Sequence, residues 1–271
     1  MRTNGSRSGA LAATLAVLAL AGCLGQGQAL AAGRARPAIV GGTSATTTAY
    51  PWAVALTTDQ GEFFCGGALA APTKVITAAH CVTERTAVGV RSLPVESLRV
   101  VVGRTDLRAR DGASVLVDRT WVHPDFRDAM AGADVAVLTL AQPVSARPVP
   151  LVGAGDGASY QPGTEATVLG WGRTGEYRDP SPTLREVRVP IMPDTECARD
   201  EDTYAPDSMT CAGLPDGGKD ACDGDSGGPM TVGGRLAGVV SWGDGCARRG
   251  KPGVYVRLAA YRELVGAQLG S

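Results

Sequence analysis

Thr77-Ala78-Ala79-His80-Cys81 and, far downstream, Gly224-Asp225-Ser226-Gly227-Gly228-Pro229 are the stretches on which the reading of this chain turns. A serine hydroxyl is a poor nucleophile at neutral pH and needs a neighbouring base to take its proton. The chain holds two histidines, His80 and His123. The imidazole in turn needs a partner, usually a carboxylate, to hold its tautomer. Asp134 is the natural candidate, because it opens the strand-like run Asp134-Val135-Ala136-Val137-Leu138. Asp128 is the rival acid, but nothing after it reads as a buried strand. The order His, Asp, Ser along a chain is one of those that carry out acyl transfer.

The serine string also matches Gly-x-Ser-x-Gly, the nucleophile turn of α/β hydrolases. That alternative fails on order, since it needs a histidine after the serine and none follows Ser226. The glycines have a separate use. Backbone N–H groups can crowd round a developing oxyanion only where few Cβ atoms obstruct them, so Gly224 and Ser226 are the expected donors.

Around these strings the chain reads as short strands broken by Gly, Pro and Asp turns. The runs are Ala53–Thr57, Lys74–Thr77, Leu98–Val102, Ser114–Val117, Val135–Leu140, Ala166–Gly170, Arg185–Val189, Arg235–Ser241 and Val254–Arg257. This spacing predicts an all-β sandwich or barrel. A Pro/Gly-rich stretch over 142–163 separates an early set of strands from a late one. One helix is expected, at the end of the chain, where Leu258, Tyr261, Leu264, Val265 and Leu269 recur at helical spacing. No internal repeat is visible.

Residues 1–31 read as an export signal: Arg2 and Arg7, an apolar run from Leu11 to Ala21, and a small-residue cleavage site at Ala29-Leu30-Ala31. The run is short for a stable membrane span. Leu20-Ala21-Gly22-Cys23 resembles a lipoprotein signal box, so transient anchoring through Cys23 is the alternative to simple secretion. The first 38 residues hold four arginines and no acid, which leaves the remainder with 22 basic against 27 acidic side chains. No basic run points to nucleic acid. Six cysteines follow the leader: Cys65, Cys81, Cys197, Cys211, Cys222 and Cys246. An even count in an exported chain implies three disulfides, with fifteen pairings open. Zinc is disfavoured, because there is no Cys-x-x-Cys and the histidines are not at ligand spacing.

Ile39-Val40-Gly41-Gly42, the Ala-Ala-His-Cys string, Asp134-Val-Ala-Val-Leu, Gly-Asp-Ser-Gly-Gly-Pro, Ser241-Trp242-Gly243 and Pro252-Gly253-Val254-Tyr255 occur in one order. In this the chain resembles the chymotrypsin-like serine proteases, most closely bacterial trypsins, from Ile39 to the C-terminus. The resemblance implies two antiparallel Greek-key β-barrels with a C-terminal helix, and His80, Asp134 and Ser226 in the cleft between them. It implies the pairs Cys65–Cys81, Cys197–Cys211 and Cys222–Cys246. It places Asp220 at the base of a specificity pocket, Gly243 and Gly253 in the pocket walls, and Ser241, Trp242 and Gly243 along the substrate. It makes 32–38 an activation propeptide and 39–271 the peptidase domain. Cleavage before Ile39 would create an amino group that pairs with Asp225. His123 resembles a structural loop histidine.

Three departures stand out. Ala38 precedes Ile39, and Arg36 is followed by Pro37, so another protease is expected to make the activating cut. Asp223 stands at the pocket rim where a neutral glutamine is common in the family, and is expected to add negative potential. Ala221 stands beside Asp220 where many trypsins have serine. The expected partners are peptide or protein substrates, proteinaceous inhibitors and the activating protease. A monomer without metal or cofactor is expected. The rival from another class is a protease-fold binding protein without catalysis, which would not require all three reactive residues together.

Overall fold

The structure, a computed structural model, describes residues 39–270. The expected leader, propeptide and Cys23 lie outside the described residues. After a short β1 (Thr43–Ser44), six strands build the first barrel: β2 (Ala53–Thr58), β3 (Phe63–Ala71), β4 (Lys74–Thr77), β7 (Leu98–Val102), β8 (Ala113–Val122) and β9 (Ala136–Leu140). A hairpin of β5 (Thr83–Thr86) and β6 (Gly89–Ser92) stands outside it, just after the His80 turn. Round the closed barrel the order is β2-β3-β4-β9-β8-β7, a Greek-key return. Alternation sends Leu98, Val100 and Val102 of β7 to one face, into the barrel core; on the other face Arg99 is only partly covered, while Val101 is buried in the cluster that holds Trp171 and Leu184.

The second set comprises β10 (Glu165–Gly170), β11 (Arg185–Pro190), β12 (Met209–Ala212), β13 (Pro229–Val232), β14 (Arg235–Trp242) and β15 (Gly253–Arg257). Its ladder runs β1-β11-β10-β13-β14-β15-β12. A single bridge, Ile191 to Ala212, brings β12 back to the end of β11. The Met192 N–H to Cys211 carbonyl (3.0 Å) and Gly213 N–H to Pro190 carbonyl (3.1 Å) bonds seal it. Taken as a circle, the order is β10-β11-β12-β15-β14-β13. This is the same permutation as in the first barrel, although no repeat shows in the sequence.

Two expectations need correction. A helix precedes the terminal one: α1 (Asp194–Asp200) starts after Pro193 with Asp194 and Glu196 in its first turn and Arg199 in its last. Only its Cys197 is buried, so no helical apolar period marked it. At the end of the chain a 3₁₀ turn over Leu258–Tyr261 leads into α2 (Arg262–Leu269). Leu258 and Val265 are buried, but Leu264 is 48% exposed and does not belong to the apolar face.

Strand β3 was also hidden, because its Gly66 and Gly67 are poor strand formers. Their smallness is what the fold uses. A Cβ on Gly66 would lie 2.9 Å from the Gly228 Cα, so backbone meets backbone where the barrels touch. There the Gly66 N–H donates to the Ser226 carbonyl at 2.8 Å. Three disulfides, Cys65–Cys81, Cys197–Cys211 and Cys222–Cys246, tie loops to these barrels.

Candidate active site

His80 lies in a one-turn 3₁₀ helix, Ala79–Val82, directly after β4. Its Nδ1 is 2.8 Å from Asp134 Oδ2, and its backbone N–H donates to Asp134 Oδ1 at 2.9 Å. Asp134 is 1% exposed, so one carboxylate oxygen holds the ring and the other the backbone of the same histidine in a water-poor setting. The loop before it is shaped by Gly132 and Ala133, both at positive φ. It is fastened by the Tyr261 hydroxyl, which accepts the Ala133 N–H at 2.9 Å. Sequence periodicity had given Tyr261 only a place on an apolar helix face.

Ser241 also has a contact that the sequence did not show. The β14–β15 register skips it, running from Val240–Tyr255 to Trp242–Val254. This bulge re-aims the side chain, and its Oγ donates to Asp134 Oδ2 at 2.6 Å. The acid is thus held by His80 from one barrel and Ser241 from the other.

Ser226 sits in a loop whose other groups are committed. Gly228 N–H donates to Asp225 O, Asp225 N–H to Cys222 O, and Gly227 N–H to Val240 O. Among the described residues the N–H groups of Gly224 and Ser226 have no acceptor, which leaves two adjacent donors for a developing oxyanion. Gly224 has φ +91, a conformation that glycine adopts without steric cost. At Gly227 space decides: a Cβ would come within 2.3 Å of Thr77 Oγ1. The structure brings His80 and Asp134 into direct contact. It makes no hydrogen bond between the Ser226 hydroxyl and His80, a contact that commonly tightens only when substrate binds.

Beside Ser226 opens a cavity of about 100 Å³ lined by Asp220, Ala221, Trp242, Gly243 and Gly253 among others. Asp220 is 3% exposed; Oδ2 accepts the Ala247 N–H at 2.9 Å, and Oδ1 has no hydrogen-bond partner among the described residues. A Cβ on Gly253 would stand 2.5 Å from that free oxygen and 3.1 Å from the Tyr255 hydroxyl. The Tyr255 hydroxyl is itself buried without a hydrogen-bond partner among the described residues. The sequence had offered Tyr255 only as part of a motif. Asp223 lines the same cavity, but Arg173 lies 3.5 Å from it, so the negative potential it adds is partly met. His123 is buried against Trp121 and Tyr261, and its backbone N–H donates to the Val135 carbonyl at 3.1 Å, so it packs behind the loop that carries Asp134.

Asp225 is fully buried and accepts N–H bonds from Gly172 (2.8 Å) and Cys222 (2.9 Å). Burial raises the carboxyls of Asp220 and Asp225 to about 7 each. The consequence for stability is opposite in sign to that of a salt-bridged aspartate. Between about pH 4 and 7 the unfolded chain releases protons that the folded chain keeps, so stability falls as pH rises and levels off above. In uncut protein carrying Ser226→Ala, urea unfolding should show lower stability at about pH 8 than at about pH 5, by on the order of a few kcal/mol. Adding Asp225→Asn should shrink the difference; an unchanged difference would refute burial of Asp225 as its cause.

A family model described as Trypsin matches residues 39–265. The chain is 48% identical over 231 residues to the trypsin of Saccharopolyspora erythraea, covering 85% of this chain and 98% of that protein. It is 36% identical over 226 residues to the trypsin of Squalus acanthias, covering 82% and 92%. To human kallikrein-14 it is 37% identical over 237 residues, covering 84% and 82%.

Proposed function

The chain belongs to the trypsin family of serine endopeptidases, and from that premise we propose that it cleaves after arginine, and less well after lysine, through an acyl-enzyme. Ser226 attacks the carbonyl, His80 takes and returns the proton, and Asp134 orients the imidazole and stabilises its charged form. Gly224 and Ser226 N–H groups hold the oxyanion. The peptide pairs with Ser241–Gly243 as an added strand. The protein is read as exported, in keeping with its disulfides, and as active once cut before Ile39. Among the described residues no helix is long and apolar enough to cross a membrane.

The observation that carries the specificity is the orphaned Oδ1 of Asp220 at the cavity beside Ser226. A buried carboxylate without a partner demands a cation. Guanidinium meets it with a planar fork, whereas the shorter lysine must fill its remaining bonds elsewhere. Ala221 offers only a methyl group there. Arg over Lys by more than tenfold in kcat/KM, about 1.4 kcal/mol, is the expected result with matched peptides. Equal values would remove the Ala221 argument, and preference for Phe or Leu would overturn the Asp220 assignment.

A second contact supports coupling between the new N-terminus and this pocket. The Asp220 N–H donates to the Val40 carbonyl at 3.1 Å, and a Cβ on Gly41 would lie 2.3 Å from the Gly218 carbonyl oxygen. Residues just after Ile39 therefore brace the backbone that carries Asp220.

A further inference from the structure

We propose that a second cavity, walled in part by His80, takes an acidic side chain from the substrate residue that precedes the cleaved arginine; this rests on the arginine-pocket reading above. The cavity, of about 190 Å³, lies between the β5–β6 hairpin and the Phe126–Ala129 turn. A peptide laid along Ser241–Gly243 turns successive side chains to opposite faces. With the arginine in the Asp220 cavity, its predecessor points away from that cavity, on the side of the imidazole.

The lining sets the chemistry. Buried Phe126 and half-buried Val90 give an apolar footing for a methylene stem. Arg85 Nη2 is 3.1 Å from Asp128 Oδ2, while Asp128 Oδ1 caps the Ala131 N–H. Arg127 Nη1 donates to the Pro124 and Phe126 carbonyls at 2.9 and 2.8 Å, and no carboxylate pairs with it among the described residues. Glu84 on the hairpin is taken by Arg91. The lining thus holds two arginines and one aspartate, with the Asp134 carboxylate behind the His80 ring and already bonded to it. A glutamate completes the pairing, whereas a lysine meets an excess of like charge.

The test uses protein beginning at Ile39 and chromogenic peptides with arginine at the cleaved position, differing only in a preceding Glu, Gln or Lys. Glu should exceed Lys about fivefold in kcat/KM, near the ceiling for exposed ion pairs, with Gln between. The difference should lie in KM and shrink at high salt. The double variant Arg85→Gln, Arg127→Gln should bring Glu level with Gln. Equal rates for the three peptides, or a Glu advantage that survives the double variant, overturn the subsite. Hydrolysis of none of them would instead overturn the arginine-pocket reading, which turnover of the Gln peptide supports independently.

Discussion

Ser226→Ala, in protein beginning at Ile39, should melt close to the parent and lose turnover by on the order of a 10⁶-fold. The near-normal melting follows from where the serine makes its structural contacts. Its backbone carbonyl accepts the Gly66 N–H, a bond that alanine keeps, and its hydroxyl makes no hydrogen bond among the described residues. The loss of rate follows because nucleophile, base and acid act as one unit, so removing one member removes nearly all that the three supply. The residual rate would come from the Gly224 and Ser226 N–H groups, which the substitution leaves in place. Hydrolysis of an arginine peptide anilide, with thermal melting alongside, reads both halves of the expectation. Normal turnover in the variant would end the assignment of Ser226 as nucleophile.

Protein that keeps Ala38 joined to Ile39 should be at least a hundredfold less active than protein cut there. Leaving a buried charge unpaired costs about 3–5 kcal/mol, and each 1.4 kcal/mol is tenfold. The expected charge is that of Asp225, which is fully buried and whose two N–H donors carry no net charge. Ile39 is also fully buried and sits at φ 39, an unfavourable value for a β-branched residue with a carbonyl before it. Cleavage removes that carbonyl and supplies an ammonium group in one step. Asp225→Asn in cut protein should lose activity comparably, while cut protein without the substitution gains it. Full activity with Ala38 attached would contradict this account.

What could be read from the residues alone was chemistry and the stronger strands. The His80 and Ser226 strings offered a candidate base and a candidate nucleophile because few residue types can fill those roles. Leu98–Val102 and Lys74–Thr77 match the structure's strand bounds, since β-branched residues over a short run carry the signal locally. Phe63–Ala71 did not, because its glycines and alanines are chosen for approach to Gly228 rather than for strand propensity. Helix α1 did not either, because one buried residue makes no period.

The amino-acid sequence by itself determined which side chains can react, which runs can bury an apolar face, and that six cysteines stand ready to pair. Only the tertiary structure decided that Ser241 would grip Asp134 from 107 positions away. The same holds for Tyr261 holding the loop before it across 128 positions, and for Arg173 meeting Asp223. The return of Ala212 to Ile191, which closes the second barrel, is of this kind too. Propensity and residue type are properties of neighbours in the chain. These contacts depend instead on where two Greek-key barrels bring distant segments together, and no local pattern of residues carries that information.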